Sequence, residues 1–90
     1  MSQHLARLPL AIIAAGSDVR LAEFDAALDP FQREQLLAYG LALGSQLRVL
    51  QQHPMTLILA DEIELALEHG VARQLWVEMP VNTREAAAGA

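Results

Sequence analysis

Residues 29–52 read DPFQREQLLAYGLALGSQLRVLQQ, and they decide the fold that the sequence predicts. Asp29 is a favourable N-cap, and Pro30 fits the first helical position because no N–H is needed there. Gln32 follows at the third helical position, as in a capping box. These three residues predict that a helix begins at Pro30.

The same stretch carries leucines at helical spacing, which predicts that this helix is long. The apolar stripe consists of Leu36, Leu37, Leu43, Leu47 and Leu50. Pro54 sets the end of the helix, because the residue before a proline avoids helical geometry. We therefore expect a long central helix over about residues 30–52 in a mainly α fold, a small helical domain.

Two glycines, Gly40 and Gly44, interrupt this helix at a spacing of four residues. Each costs about 1 kcal/mol relative to alanine in a helix interior, so a compensating contact is expected. Glycines at this spacing leave a groove in which another backbone approaches closely. The contact is either a tight crossing within the chain or a helix–helix contact between two copies. The second interpretation predicts a homodimer whose interface contains Gly40, Leu43, Gly44 and Leu47.

The segments that flank the central helix have a less regular pattern. Residues 8–14 and 72–79 are short apolar runs, and two short strands there would make the fold α+β. Ser17 or Asp18 is placed to cap a further helix that ends near Leu28.

Residues 55–69 are open to two interpretations, of which we favour the first slightly. In the first they form a single helix. In the second, 56–60 is a strand and Asp61 caps a helix that follows it. On a helix, Glu64 and Glu68 share one face, which is either solvated or contacts a basic partner. No Glu-x-x-His pair accompanies these carboxylates, so a metal site is not expected.

Trp76 is the only tryptophan of the chain. In a strand it would lie on the face opposite Leu75 and Val77. It is therefore either a core residue or an exposed interface anchor, and the sequence favours neither.

The composition describes a single domain over residues 1–90, with a loose N-terminal arm at 1–7 and a frayed tail at 82–90. The chain is 53% apolar with a net charge of −5. Surplus apolar surface on a small domain often lies in a subunit interface. The negative charge disfavours direct nucleic-acid binding and contact with an anionic membrane surface.

Recognisable catalytic chemistry is missing from the sequence. It contains no cysteine, and His4, His53 and His69 stand outside any nucleophile motif. Phosphate-binding loops, dinucleotide fingerprints and zinc-ligand spacings are also absent. We therefore expect no enzymatic activity, no catalytic residue, no cofactor and no metal, and we expect the protein to be cytoplasmic.

These observations predict a small acidic, non-enzymatic protein-binding regulator or adaptor that acts as a homodimer. An anti-activator or a chaperone-like partner of a bacterial regulatory protein is an example. The partner would be a transcriptional regulator or another protein with a basic surface, contacted through the residues above together with Glu64, Glu68 and Trp76. The alternative is a small ligand-binding or accessory subunit with an apolar pocket at a dimer seam.

Overall fold

The computed structural model describes residues 5–80, which form a six-stranded antiparallel sheet with three short helical segments. The strands are β1 (Leu5–Pro9), β2 (Asp18–Phe24), β3 (Gln46–Gln51), β4 (Thr56–Ala60), β5 (Ile63–Leu67) and β6 (Leu75–Pro80). The helical segments are a 3-10 turn (Leu10–Ile12), α1 (Pro30–Ala38) and α2 (His69–Ala72). The strand order is β1-β6-β2-β3-β4-β5, so β1 and β5 form the edges of the sheet.

Alternating polar and apolar residues build the strands. In β2, Val19 and Leu21 are buried while Arg20 between them is exposed. In β3, Leu47 and Val49 are buried in the same way. This period of two places one face of each strand against the core. Strands account for 44% of the described chain and helices for 21%, so the predicted mainly α fold is wrong.

The helix α1 begins as the sequence predicts. The Asp29 side chain accepts a hydrogen bond from the Gln32 N–H at 3.2 Å, and Pro30 occupies the first helical position. The expected central helix over 30–52, however, is wrong beyond residue 38.

Gly40 ends α1 because its φ of +93° lies in the left-handed region. Its N–H donates to the Leu37 carbonyl at 2.9 Å, and the Leu41 N–H donates to the Leu36 carbonyl at 3.0 Å. These two bonds form a Schellman motif, completed by the burial of both Leu36 and Leu41. A glycine that sequence analysis placed inside a helical stripe is thus the residue that terminates the helix.

The helix expected from Asp18 to Leu28 is also wrong, because its first seven residues form β2. The favoured single helix over 55–69 is replaced by the β4–β5 hairpin. The strand of the second interpretation is present as β4, but Asp61 caps no helix and instead lies in the hairpin turn with φ of 56°. Asp tolerates this left-handed conformation better than most residues.

The ends of the chain correspond only partly to expectation. Of the proposed strand at 8–14, residues 8 and 9 belong to β1 and the 3-10 turn follows. The proposed strand at 72–79 corresponds to β6, which begins at Leu75. In the expected loose arm at 1–7, Leu5–Arg7 pair with β6. The remainder of that arm and the tail at 82–90 lie outside the described residues.

The core lies on the inner face of the sheet, closed by the 3-10 turn and by single residues of both α-helices. Its fully buried side chains include Leu10, Leu21, Leu41, Val49, Ile58, Leu75 and Val77. None of the helices within residues 5–80 is long and apolar enough to cross a membrane.

Candidate functional site

A groove separates α1 from the segment that joins β5 to α2. Its volume is about 210 Å³. One wall is formed by polar groups of α1 and its C-cap, from Gln32, Gln35 and Tyr39, above a floor that includes Leu36. The facing wall is formed by Ala66, Leu67, Glu68 and Val71. The groove therefore combines an apolar floor with a polar rim.

The helix α1, which forms one wall of the groove, is held in place by one buried side chain and by the caps at its two ends. Leu36 is the only residue of α1 that is buried, and the caps at Asp29 and Gly40 fix where the helix begins and ends. Large apolar side chains therefore remain exposed on and beside α1: Phe31 (66% exposed), Leu37 and Tyr39. Of these side chains, Tyr39 lines the groove itself and adds exposed apolar surface to it.

The other wall belongs to an edge strand. β5 pairs with β4 from Thr56–Leu67 to Ala60–Ile63, and within residues 5–80 no strand pairs with its other side. We call the strands β4 and β5, their turn and Glu68 the acidic hairpin. Its four carboxylates are all exposed and belong to Asp61, Glu62, Glu64 and Glu68.

These carboxylates form no ion pair with another described residue. The sequence predicted that Glu64 and Glu68 share one face of a helix, whereas in the structure they belong to a hairpin. Glu64 and Glu68 nevertheless share one face, because extended residues at even spacing point to the same side. Their assignment to a partner interface stays a prediction.

The other residues predicted at an interface do not form one helical surface. Gly40 and Gly44 lie in the loop after α1, with φ of +93° and +91°. Leu43 between them is exposed, but Leu47 is 2% exposed in the core. Leu47 is thus not available to a partner in this conformation, and the helical glycine groove is wrong.

Trp76 lies half-buried on β6, on the face opposite Leu75 and Val77. Its indole N–H donates to Asp25 Oδ2 at 3.0 Å. The pKa of the Asp25 carboxyl is lowered by the Ala27 backbone N–H and then by this indole. Trp76 therefore ties β6 to the end of β2, while its role as an interface anchor stays a prediction.

The outer face of the sheet carries a group of charges that sequence analysis missed. Arg7 on β1 and Arg20 on β2 both donate to Glu78 on β6 between them, and Arg7 also contacts Glu23 at 2.9 Å. We call these four residues the ion-pair network. The two arginine hydrogen bonds, from Arg20 and then Arg7, lower the pKa of the Glu78 carboxyl. Only the strand register brings these distant residues together.

A partly buried group of polar side chains connects the loop before β4 to the 3-10 turn. The Gln52 amide donates to the carbonyls of Leu10 (2.9 Å) and Ile13 (2.7 Å) and accepts from the Thr56 hydroxyl. His69 contacts the Gln52 carbonyl, and the His53 ring lies 5.4 Å from the His69 ring. Within residues 5–80 no three His, Cys, Asp or Glu side chains are grouped so as to hold a metal ion.

Solved structures share this fold. A crystal structure of an iron uptake regulatory protein (FeoA) has a TM-score of 0.72 at 20% identity, covering 82% of this chain and 99% of that one. The solution structure of FeoA from Chlorobium tepidum has a TM-score of 0.73 at 23% identity, covering 80% and 70%. At these identities the likeness concerns the fold, which is SH3-like.

The fold also occurs as one part of a longer protein. A manganese-dependent transcriptional repressor has a TM-score of 0.73 at 25% identity, covering 82% of this chain but only 42% of the repressor. A search of curated protein sequences found no match. The family model of the FeoA domain, however, matches residues 8–79, which is most of the chain. The chain therefore belongs to the FeoA domain family.

Proposed function

We propose that this protein regulates cellular iron uptake by binding another protein, without catalysing a reaction itself. The observation that carries the proposal is the FeoA match over residues 8–79, since a solved member of the fold is described as an iron uptake regulatory protein. The proposal places the protein in the cytoplasm.

This assignment replaces the functions expected from the sequence. The anti-activator and chaperone-like adaptor, and the alternative subunit with a pocket at a dimer seam, are wrong because the chain is a FeoA domain. Those expectations were based on size, charge and the lack of catalytic motifs, and their proposed contact surface required a long helix, whereas α1 ends at Ala38.

Binding of a protein is supported by the size and character of the groove. Its volume of about 210 Å³ is below the range of about 300–1,000 Å³ usual for small-molecule sites. A groove of this size with an apolar floor accommodates side chains of a partner. Further exposed apolar surface is supplied by Phe31 on α1, Tyr39 at its C-cap and Leu43 in the following loop.

The net charge of −5 supports a partner with a basic surface and argues against direct contact with nucleic acid. The homodimer predicted from the sequence is kept as a subsidiary proposal. Light scattering of the purified protein tests it, and a monomer mass at all concentrations contradicts it.

Deletion of the gene and measurement of radioactive Fe²⁺ uptake test the function. We expect uptake to fall and to recover when the intact gene is supplied in trans, while Zn²⁺ uptake stays unchanged as a control. Unchanged Fe²⁺ uptake in the deletion strain under iron limitation would contradict the proposed role.

A further inference from the structure

We propose that the free edge of β5, with the adjoining groove, binds an extended basic segment of a partner protein as an additional strand of the sheet. The inference rests on the proposed function, because it takes the partner of the iron-uptake regulator to be a protein. It adds the surface that binds and the chemistry that the partner presents.

The backbone of β5 is unpaired, within the described chain, on the side that faces away from β4. A two-residue turn joins Ala60 to Ile63, and such a turn closes on a hydrogen-bonded pair. Pairs alternate along an antiparallel ladder, so the N–H and C=O groups of Glu64 and Ala66 face away from β4. Glu68 continues the extended conformation, with φ of −65° and ψ of 149°. A free edge of this kind is the template for strand addition.

The negative charge of the acidic hairpin also supports a basic partner. Residues 49–72 contain four carboxylates and no Arg or Lys. Elsewhere on the sheet carboxylates are paired: Glu78 with two arginines and Asp18 with Arg48 at 2.8 Å. The acidic hairpin thus carries negative charge that the described chain does not neutralise.

This charge also decides between possible occupants of the edge. A second copy of β5 would bring Glu64 and its neighbours close to the same carboxylates, and facing like charges are destabilising. A strand with arginine or lysine opposite Glu64 and Glu68 would instead form opposite-charge cross-strand pairs. The edge therefore favours a basic partner over a second copy of this chain.

The spacing of the glutamates along the free edge indicates which partner sequence matches it. Glu64 and Glu68 are four residues apart on one face, with the small Ala66 between them. A matching strand has basic residues four apart, a small residue midway, and apolar residues at the two alternate positions. Those apolar side chains would lie toward the groove floor at Leu36 and Leu67, where Gln32 and Gln35 offer amide groups from α1.

The probe for this inference is the peptide acetyl-Thr-Arg-Val-Ala-Val-Arg-Thr-amide, titrated into the full-length protein labelled with ¹⁵N. We expect saturable shifts of the amides at 63–68 and of the α1 residues that line the groove, with affinity that falls as salt is raised. A peptide with glutamate in place of both arginines should bind at least tenfold more weakly. Equal binding of the two peptides, or shifts confined to other parts of the chain, would overturn the inference.

Two variants separate the backbone contribution from the charge contribution. Ala66→Pro removes an N–H that faces the free edge, where proline is tolerated, and should weaken the peptide at least fivefold. Glu64→Arg with Glu68→Arg should weaken it at least tenfold and should make the glutamate peptide the better ligand. Glu34→Arg, on exposed α1 surface outside the groove, reverses one carboxylate and is therefore the control matched in charge to Glu64→Arg alone; it should bind as wild type. Thermal unfolding confirms that each variant is folded.

Fe²⁺ uptake distinguishes failure of this inference from failure of the proposed function. If Glu64→Arg with Glu68→Arg restores uptake as fully as wild type, the edge assignment is overturned while the role in iron uptake stands. If the deletion strain shows no uptake defect, the role in iron uptake is overturned instead. Concentration-dependent dimerisation that Glu64→Arg with Glu68→Arg alters would identify the occupant as a second copy, and would also overturn the inference.

Discussion

The ion-pair network and the acidic hairpin are both charged surfaces of the same sheet, but their charges are arranged differently. In the network Glu78 lies between Arg7 and Arg20, directly across from each in the strand register. In the hairpin, Glu64 and Glu68 have no basic partner within the described chain. The charges of the first surface are paired within the described chain, whereas those of the second are not.

This difference shows how the surface of a small domain is divided. Three strands of the network, β1, β6 and β2, are hydrogen-bonded neighbours, and opposite charges strengthen their pairing. The hairpin contributes its inner residues, Leu65 and Leu67, to the core and leaves its edge open. The ion-pair network and the edge proposed to bind a partner therefore lie toward opposite ends of one sheet.

The largest loss of stability is expected from a substitution in β3, the strand between the two charged surfaces, and it tests whether β3 contributes to the core. Leu47→Ala should lower the free energy of unfolding by about 2–5 kcal/mol, because it leaves a cavity at a position that is 2% exposed. Chemical denaturation measures this loss. Leu43→Ala, at an exposed loop position, is the matched control and should change stability by less than about 0.5 kcal/mol. Equal effects of the two substitutions would show that Leu47 is not a core residue.

A smaller effect is expected where α1 begins beside the groove. Asp29→Ala removes the acceptor for the Gln32 N–H and should cost about 1 kcal/mol of unfolding free energy. It should also weaken the basic peptide, because α1 forms one wall of its site. Asp29→Asn keeps an acceptor and should retain most of the stability. A fully stable Asp29→Ala protein would contradict the capping role.

The comparison between the two surfaces is tested directly by neutralising one carboxylate on each. Glu78→Gln should lower the melting temperature, because Arg20 loses its charged partner and Arg7 retains only Glu23. Glu64→Gln should leave it unchanged or raise it slightly, because a like-charge neighbour of Glu62 and Glu68 is removed. If Glu64→Gln destabilises the protein as much as Glu78→Gln, the hairpin charges are structural and the comparison fails.

The smallest effect is the pH dependence of stability that the network contributes. Arginine hydrogen bonds lower the pKa of Glu78 below its ordinary value of 4.5. A carboxylate with a lowered pKa adds stability that is fully present above pH 4.5 and is lost as pH falls through its folded-state pKa. The free energy of unfolding, measured by denaturation between neutral pH and pH 3, should therefore fall less steeply with falling pH for Glu78→Gln than for wild type. An equal pH dependence of the two proteins would contradict this assignment.

Local signals in the sequence predicted part of the fold. Asp29 and Pro30 correctly placed the start of α1, because a cap is decided by a few neighbouring residues. Gly40 was misinterpreted, because a glycine in a leucine-rich stretch fits both a helical stripe and a helix terminus. The structure selects the terminus by burying both Leu36 and Leu41 in a core formed with distant strands, which no local pattern specifies.

The candidate site was less accessible to sequence reasoning. Glu64 and Glu68 were singled out by charge density alone, although the element that carries them was misassigned. The groove itself joins residues 32–39 to residues 66–71, and no local pattern relates segments that are so far apart. The same holds for the ion-pair network, whose members come from three strands distant in the chain.

Amide hydrogen exchange along β5 tests the central claim most directly. In the free protein, the Leu65 N–H should exchange slowly because it faces β4, whereas the Ala66 N–H should exchange rapidly because it faces the free edge. Saturation with the arginine peptide should protect Ala66 and leave the amide of Glu78 on β6 unchanged. Slow exchange of Ala66 in the free protein, or no protection on saturation, would contradict the claim that this edge receives a partner strand.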